Sequence, residues 1–313
     1  MNVLSLCDGM SCGRMALIKE GFRVDNYYAA EIKDKAIRAT KANFPDTKHI
    51  GDVNKVTYKD GVLHTENGDY ETNIDLMLFG SPCQSFSRAM RTEMRVGLAD
   101  KERSGLFLEC YRILQEVKPR YFLMENVIMK QEDADYISEL LGVQPMRINS
   151  ALVSAQLRDR LYWTNIPDVM IPNDRYIMLN DILDYGYCDR DKARALLVSD
   201  CRQLISTNKM IHRYWGSGFT TLIFRSEDHY LQCKDAYVNT LNGNKSTAAF
   251  WDEHTCPEFE GVRYLNKNER ARLQTVPIEY VECMTESEAA DLLGDGWTVD
   301  VIAHILSYLN GLI

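Results

Sequence analysis

Between Val3 and Glu125 four short apolar runs alternate with helical stretches, and each run stops at a carboxylate or at a glycine- or proline-bearing loop. Val3-Leu4-Ser5-Leu6 leads into a Gly-rich turn and a helix from about Gly13 to Glu20. Tyr27-Tyr28-Ala29-Ala30 ends at Glu31, and a helix from about Lys33 to Asn43 stops before Pro45. Ile74 to Phe79 leads to Cys83, a helix from about Leu106 to Glu116 ends near Pro119, and Tyr121-Phe122-Leu123-Met124 stops at Glu125. This rhythm predicts an α/β fold: a mostly parallel sheet covered by helices. Such sheets bind ligands beyond the carboxyl ends of their strands, so the residues that close each run are the first candidates for chemistry.

From roughly 166 to 265 the rhythm is lost to turns, Asn, Gly and aromatic residues, with β-like runs such as Tyr237-Val238-Asn239-Thr240. The end, from Glu286 to Ile313, reads as helical and apolar enough to return to the sheet. The expected organisation is therefore 1–165 completed by 285–313, with 166–284 as a smaller, irregular second domain. Net charge is −9, but its distribution matters more than its sum. Arg190 to Arg213 holds six Lys or Arg against two Asp, and Arg88 to Arg103 holds five against three acids. Beyond Arg272 there is no Lys or Arg, while seven acids fall between Glu279 and Asp300. A chain divided this way can present a basic cleft to a polyanion and an acidic back. Nine cysteines, an odd number without a CxxC pair, suit a reducing compartment and predict neither a disulfide framework nor a structural metal. No run is long enough for a membrane span, and no leader-like segment opens the chain, so a cytoplasmic protein is expected.

Gly80-Ser81-Pro82-Cys83-Gln84-Ser85-Phe86-Ser87 puts a thiol straight after a proline at the mouth of a loop. Pro82 fixes its own φ and biases Ser81 towards extended geometry, so the backbone sets the thiol's direction. Ser, Gln and Ser are poor core neighbours, and Cys83 reads as a nucleophile. Asp8-Gly9-Met10-Ser11-Cys12-Gly13 joins the first strand to the first helix, where glycine permits a tight turn and helix amides stand free. Glu31 closes the second strand, where nucleotide folds hold ribose hydroxyls. Asp52, in Gly51-Asp52-Val53, is a third candidate contact, to an adenine amino group. Three acids in this order point to a nucleoside site.

The ordered set resembles the cytosine-C5 DNA methyltransferase family. The resemblance is carried by LSLCDGMSCG at 4–13, Glu31, GDV at 51–53, GSPCQSFS at 80–87, Glu125-Asn126-Val127, QLRDR at 156–160, LNKNERARLQTVP at 265–277 and GDGWTVDVI at 294–302. It spans nearly the whole chain, and DGMSCG and GDGW look closest to the animal de novo branch in a solitary bacterial or phage relative. The resemblance implies a Rossmann-like S-adenosylmethionine-dependent methyltransferase sheet with a target-recognition domain, acting on double-stranded DNA. The cofactor, S-adenosyl-L-methionine, is expected to be lined by Cys7, Asp8, Gly9, Met10, Cys12, Glu31, Ile32, Asp52, Val53, Gly80, Pro82, Leu106, Asp295 and Trp297. Cys83 would attack C6 of a flipped cytosine, turning C5 into an enamine-like carbon, with Glu125 on the N3 and N4 edge. Arg158 and Arg160 share one side of an extended segment and, by resemblance, position the base, Arg160 at its O2.

The segment from Gln84 to Arg103 looks like a closing loop, and Gln84, Ser85, Ser87 and Arg88 are candidate DNA contacts. Arg190, Lys192, Arg194, Arg202, Lys209 and Arg213 are candidate phosphate contacts in the second domain. No side chain declares itself as the base for the C5 proton; a water serves. Two departures stand out: Cys7 where the family has Phe, and Asp295 where it has Asn or, in the animal branch, Arg. Transfer RNA is the alternative substrate and a non-catalytic DNA-binding paralogue the other alternative; a paired restriction enzyme and a phage or host setting are left open.

Overall fold

The computed structural model describes residues 1–81, 101–196, 206–216, 218, 220–241 and 256–312, with the backbone alone at 101–104 and 240–241. Its strands are β1 (Asn2–Leu6), β2 (Asn26–Ala30), β3 (Lys48–Gly51), β4 (Thr57–Lys59), β5 (Val62–Thr65), β6 (Gly68–Glu71) and β7 (Leu76–Phe79). They continue with β8 (Tyr121–Val127), β9 (Met146–Asn149), β10 (Gln156–Leu157), β11 (Asp159–Thr164) and β12 (Ala193–Arg194). The helices are α1 (Cys12–Lys19), α2 (Asp34–Asn43), α3 (Lys101–Val117), α4 (Gln131–Leu141) and α5 (Thr207–Gly216). After them come α6 (Glu227–Leu241), α7 (Lys267–Leu273), α8 (Ile278–Val281), α9 (Glu286–Asp295) and α10 (Val299–Ser307). Among the described residues no helix is long and apolar enough to cross a membrane.

Two compact units result: Met1–Ser150 with Asp159–Asn173 and Gly296–Ile313, and Ala151–Arg158 with Asp174–Asp295. The first carries a seven-stranded sheet in the order β3-β2-β1-β7-β8-β11-β9. The pairs from β3 to β8 are parallel, and β11 runs antiparallel to both β8 and β9. The α/β expectation holds, and the order reverses between β1 and β7, the kind of point where open sheets leave a ligand crevice. Parallel strands covered on both faces must be apolar throughout, and Leu76-Met77-Leu78-Phe79 is buried at every position. Met77 and Phe79 join the core cluster with Phe107, Ile113 and Met124. Leu78 takes the other face, where a Cβ on Gly13 would lie 2.5 Å from its Cδ1. Glycine at 13 is therefore what lets α1 lie directly on the sheet. Helix α10 packs against α1 and ties to it through the Lys19–Asp300 ion pair.

Between β3 and β7 lies a three-stranded antiparallel meander, β4-β5-β6, for which the sequence reading made no provision. The second unit is held by helices around Ile211, Tyr214, Phe224, Tyr230, Cys233, Tyr237 and Phe259. Tyr237 to Thr240 is a correction: the run lies inside α6 and is helical. Tyr230, Cys233 and Tyr237 recur at helical spacing and together face that core, so burial overrides the β preference of Tyr, Val and Thr. Residues 151–158 and α9, expected with the sheet, pack in the second unit. Ser154 Oγ donates to the Leu273 carbonyl (2.6 Å), and Gln274 Nε2 to that of Leu293 (2.6 Å).

Candidate active site

Register aligns the ends of four strands. Leu6 pairs with Ala30 on one side and Phe79 on the other, and Phe79 pairs with Met124. The next residues, Cys7, Glu31 and Gly80 just past their strands and Glu125 two residues before the end of β8, therefore stand in one row near the carboxyl edge of the sheet. Two residues beyond Gly80 the chain reaches Pro82-Cys83, which lie outside the described residues, as do Gln84, Ser85, Ser87, Arg88 and Arg202.

At one end of the row the loop after β1 is wound through three left-handed residues, Cys7 (φ 53°), Gly9 (φ 60°) and Ser11 (φ 56°). Only glycine takes that conformation without strain, so the other two are held there by bonds. The Asp8 amide donates to the Ala30 carbonyl (3.0 Å) and the Gly9 amide to Glu31 Oε2 (2.8 Å). Glu31 Oε1 accepts the amides of Ile32 and Lys33, both at 2.8 Å, which sets its carboxylate in one orientation. A Cβ on Gly9 would meet nothing within 4 Å, so bare backbone faces open space beside that carboxylate. Ile32, next to Glu31, is 69% exposed, an apolar side chain presented for contact. Met10 and Cys12 bury their side chains. Cys7 packs against the core cluster and hydrogen-bonds Cys110 of α3, a contact that, with burial, pushes the Cys110 thiol up. Leu106, also on α3, is partly buried against the same cluster.

Asp8 turns its carboxyl inward. Oδ1 accepts the Tyr27 hydroxyl (2.7 Å), Oδ2 accepts Ser11 Oγ, and Ser11 Oγ in turn meets Thr40 Oγ1 at 3.0 Å. Enclosure outweighs these bonds, and the neighbouring Glu31 adds repulsion, so the Asp8 pKa rises from 3.8 to about 6. A raised carboxyl pKa means that the folded chain holds this proton over a pH range where the unfolded chain has lost it. Stability is then lost as pH rises from about 4 to about 6, by no more than about 3 kcal/mol. Melting temperatures of wild type and Asp8→Asn, compared across that window, should show a decline in wild type that the variant lacks. An unchanging difference between the two would contradict the assignment.

In the middle of the row Trp297 brings its indole against the backbone of Gly80: a Cβ there would come within 2.9 Å of the indole Nε1. Ser81 is buried, and its Oγ accepts Asn126 Nδ2 at 3.3 Å. Glu125, beside Asn126, is 8% exposed and pairs with Arg160, Nε to Oε1 at 2.9 Å. Antiparallel pairing of β11 with β8 sets this up, because Tyr162 sits opposite Glu125 and Arg160 opposite Val127.

At the far end of β3, Asp52 caps the turn Val53–Lys55, its Oδ1 accepting the Asn54 amide (3.0 Å) and Asn54 Nδ2 (2.8 Å). Val53 is buried. The donor set fits a nucleoside with a cationic tail: an oriented carboxylate, bare loop backbone, an exposed aliphatic side chain and an indole along one edge.

Residues 1–137 match the family model described as C-5 cytosine-specific DNA methylase. These residues belong to the cytosine-C5 DNA methylase family. The chain is similar to the type II methyltransferase M1.ScrFI of Lactococcus lactis subsp. cremoris, 27% identical over 310 residues, which covers 90% of this chain and 71% of that one. The type II methyltransferase M.NgoBV of Neisseria gonorrhoeae is 35% identical over 128 residues, 40% of this chain and 27% of its own length. The S. pombe Dnmt2 methyltransferase structure shares the fold, with TM-score 0.67 and 17% identity over 100% of this chain and 99% of that one.

The family's arginine pair does not behave as one extended segment here. Strand β10 ends at Leu157 and β11 begins at Asp159, so the strand breaks at Arg158. Arg158 is 4% exposed and donates from Nη1 to the Gly294 carbonyl (3.2 Å) within the second unit, where Asp295 closes α9 and is exposed. Of the expected phosphate contacts, Lys192 is drawn inward. Its ammonium donates to three carbonyls, those of Ile177 (2.6 Å), Ala151 (2.8 Å) and Ser154 (3.1 Å), which uses all its protons. Arg190 stacks over the Tyr214 ring at 4.1 Å and donates to the Thr220 carbonyl (2.6 Å). Both cations satisfy local backbone oxygens that would otherwise go unpaired. Arg194 donates from Nε to the Gly218 carbonyl (2.9 Å), and Lys209 and Arg213 lie on α5. Sequence reasoning missed Tyr27 and Thr40, polar groups inside a strand and a helix that carry no motif, and gave no role to Ser11 and Ser81 within the motifs that hold them.

Proposed function

We propose that this chain transfers a methyl group from S-adenosylmethionine to C5 of cytosine in double-stranded DNA, through a covalent bond between Cys83 and C6 of the base. The supporting observation is the row of strand ends, in which Glu31 of a nucleoside site and the Glu125–Arg160 pair flank the strand that leads into Pro82-Cys83. When bound, the cofactor supplies an electrophilic methyl group on a sulfonium centre. Glu31 holds its ribose hydroxyls, the Gly9 loop lies along its backbone side, Ile32 and Trp297 flank it, and Asp52 faces the adenine edge.

Cytosine C5 is too weak a nucleophile to take a methyl group unaided. Cys83, as thiolate, adds to C6 and shifts electron density to C5. Glu125 meets the N3 and N4 edge, held by Arg160, whose remaining guanidinium donors serve O2. The target atom is inaccessible inside a duplex, so the base leaves the stack at a cost of a few kcal/mol. The second unit reads the DNA, with Arg194, Lys209 and Arg213 as phosphate contacts. The type II names of the relatives suggest a restriction-modification setting, and a cytoplasmic location suits it.

The test is a covalent trap. Duplex DNA carrying 5-fluorocytosine, incubated with the protein and S-adenosylmethionine, should give a band that survives a denaturing gel, because fluorine cannot leave C5 as a cation. A band with fluorinated transfer RNA alone would replace DNA by RNA as the substrate. Absence of a band with either, in a library of random duplex sequence, would remove the covalent mechanism.

A further inference from the structure

The meander β4-β5-β6 reaches the candidate cofactor site at its tip. Thr65 Oγ1 donates to the Gly68 carbonyl (2.7 Å), which closes the turn, and Asn67 Nδ2 donates to the His49 carbonyl of β3 (2.9 Å). Glu66, between them, is placed over the turn that follows β3. Its Oε2 accepts the Asp52 amide (2.9 Å), and its Oε1 pairs with Lys55. That same Oε2 would lie 2.7 Å from a Cβ on Gly51, whose φ of +84° no other residue adopts without strain. Glycine at 51 thus makes room for the carboxylate, and the carboxylate holds in place a backbone that glycine alone would leave loose. Lys55 keeps Glu66 below the usual carboxylate range, so the acceptor stays anionic at neutral pH.

We propose that Glu66 is a positioning residue for cofactor binding: it clamps the Gly51-Asp52 turn so that the Asp52 carboxylate is aimed before the ligand arrives. The inference rests on the cofactor reading above. Asp52 is fixed from both sides, its amide by Glu66 and its Oδ1 by Asn54, and only the second of these bonds is local in sequence. A pre-aimed group loses less freedom when the ligand binds, and the gain appears as affinity and not as rate. Glu66 touches no reacting atom, and its side chain is 33% exposed, so the expected effect is modest.

The experiment titrates the full-length protein with S-adenosylhomocysteine by calorimetry and follows methyl transfer at saturating DNA. Glu66→Ala should weaken S-adenosylhomocysteine by about fivefold, the scale of one charge-assisted hydrogen bond partly screened by water. KM for S-adenosylmethionine should rise in parallel, while kcat and the KM for DNA stay unchanged. Glu66→Gln keeps an acceptor for the Asp52 amide and should restore most of the affinity. Glu31→Ala is measured alongside. Weakening by Glu31→Ala with no effect of Glu66→Ala would overturn the clamp and leave the cofactor site standing. No effect of either would overturn the site and the clamp together. Equal losses in Glu66→Ala and Glu66→Gln would also overturn the proposal, since the acceptor would then not be what matters.

Discussion

Cys83→Ser is expected to lose methyl transfer by about 10⁴-fold or more, while duplex DNA and S-adenosylhomocysteine still bind. The size follows from what the nucleophile must do. A free cysteine is a few per cent thiolate near neutral pH, whereas a serine hydroxyl is essentially never ionised there, so the variant lacks the species that adds to C6. Groups that work as a unit lose most of their joint effect when one is removed, and Glu125 with Arg160 has little to stabilise unless the adduct forms. Binding should persist because the cofactor contacts proposed around Glu31, Gly9 and Trp297 do not include the thiol. Tritiated methyl incorporation under single-turnover conditions measures the rate, and filter binding measures retention of DNA. A variant within a hundredfold of wild type would mean that another residue, or none, attacks the base.

Glu269→Ala is expected to cost about 3–5 kcal/mol of stability, the penalty of stripping a buried ion pair of one partner. Glu269 is 0% exposed, and each of its oxygens is used twice. Oε1 accepts Arg263 Nη2 (2.8 Å) and the Asp184 amide (3.0 Å), and Oε2 accepts Arg263 Nη1 (2.7 Å) and the Asn266 amide (2.9 Å). The Asn266 side chain returns a bond from the Glu269 amide, a reciprocal cap on α7. Removal would leave a half-buried guanidinium uncompensated and two amides unpaired, with only the Asn266 half of the cap remaining. Urea unfolding of the whole chain gives the loss, and amide exchange at Asp184 and Asn266 should show where it falls. If the pairing is the cause, replacing Arg263 by Met in the Glu269→Leu background should recover part of it. A loss below about 1 kcal/mol for Glu269→Ala would mean that water replaces the carboxylate.

Much of the first unit was legible because its signals are local. A parallel strand covered on both faces is a short apolar run, and what ends it is a Gly, Pro or carboxylate a few residues away. Leu76 to Phe79 and Tyr121 to Val127 are buried strands, and Glu31 follows a strand end as expected, whereas β8 continues two residues past Glu125 to Val127. The meander was missed although its first turn is Asp60-Gly61, both at positive φ, the dipeptide that favours a tight hairpin. Its strands are short and mostly polar, so no hydrophobic alternation drew attention to them. In the second unit local preference misled at Tyr237 to Thr240, where packing against Phe224 and Phe259 decided for helix.

The sequence by itself determined which groups close the strands and in what order, and hence the family and the chemistry open to it, because strand period and loop punctuation depend on neighbours along the chain. Tertiary structure alone decided which cation or carboxylate answers to which partner. Lys192 and Arg190 name no partner in the sequence, and the fold brings both to backbone carbonyls; Glu66 carried no signal until a hairpin brought it over Gly51. A charged side chain in a sequence is a donor or acceptor without an address. The fold supplies the address, because leaving a buried carbonyl or amide unpaired costs more than drawing one long side chain away from solvent.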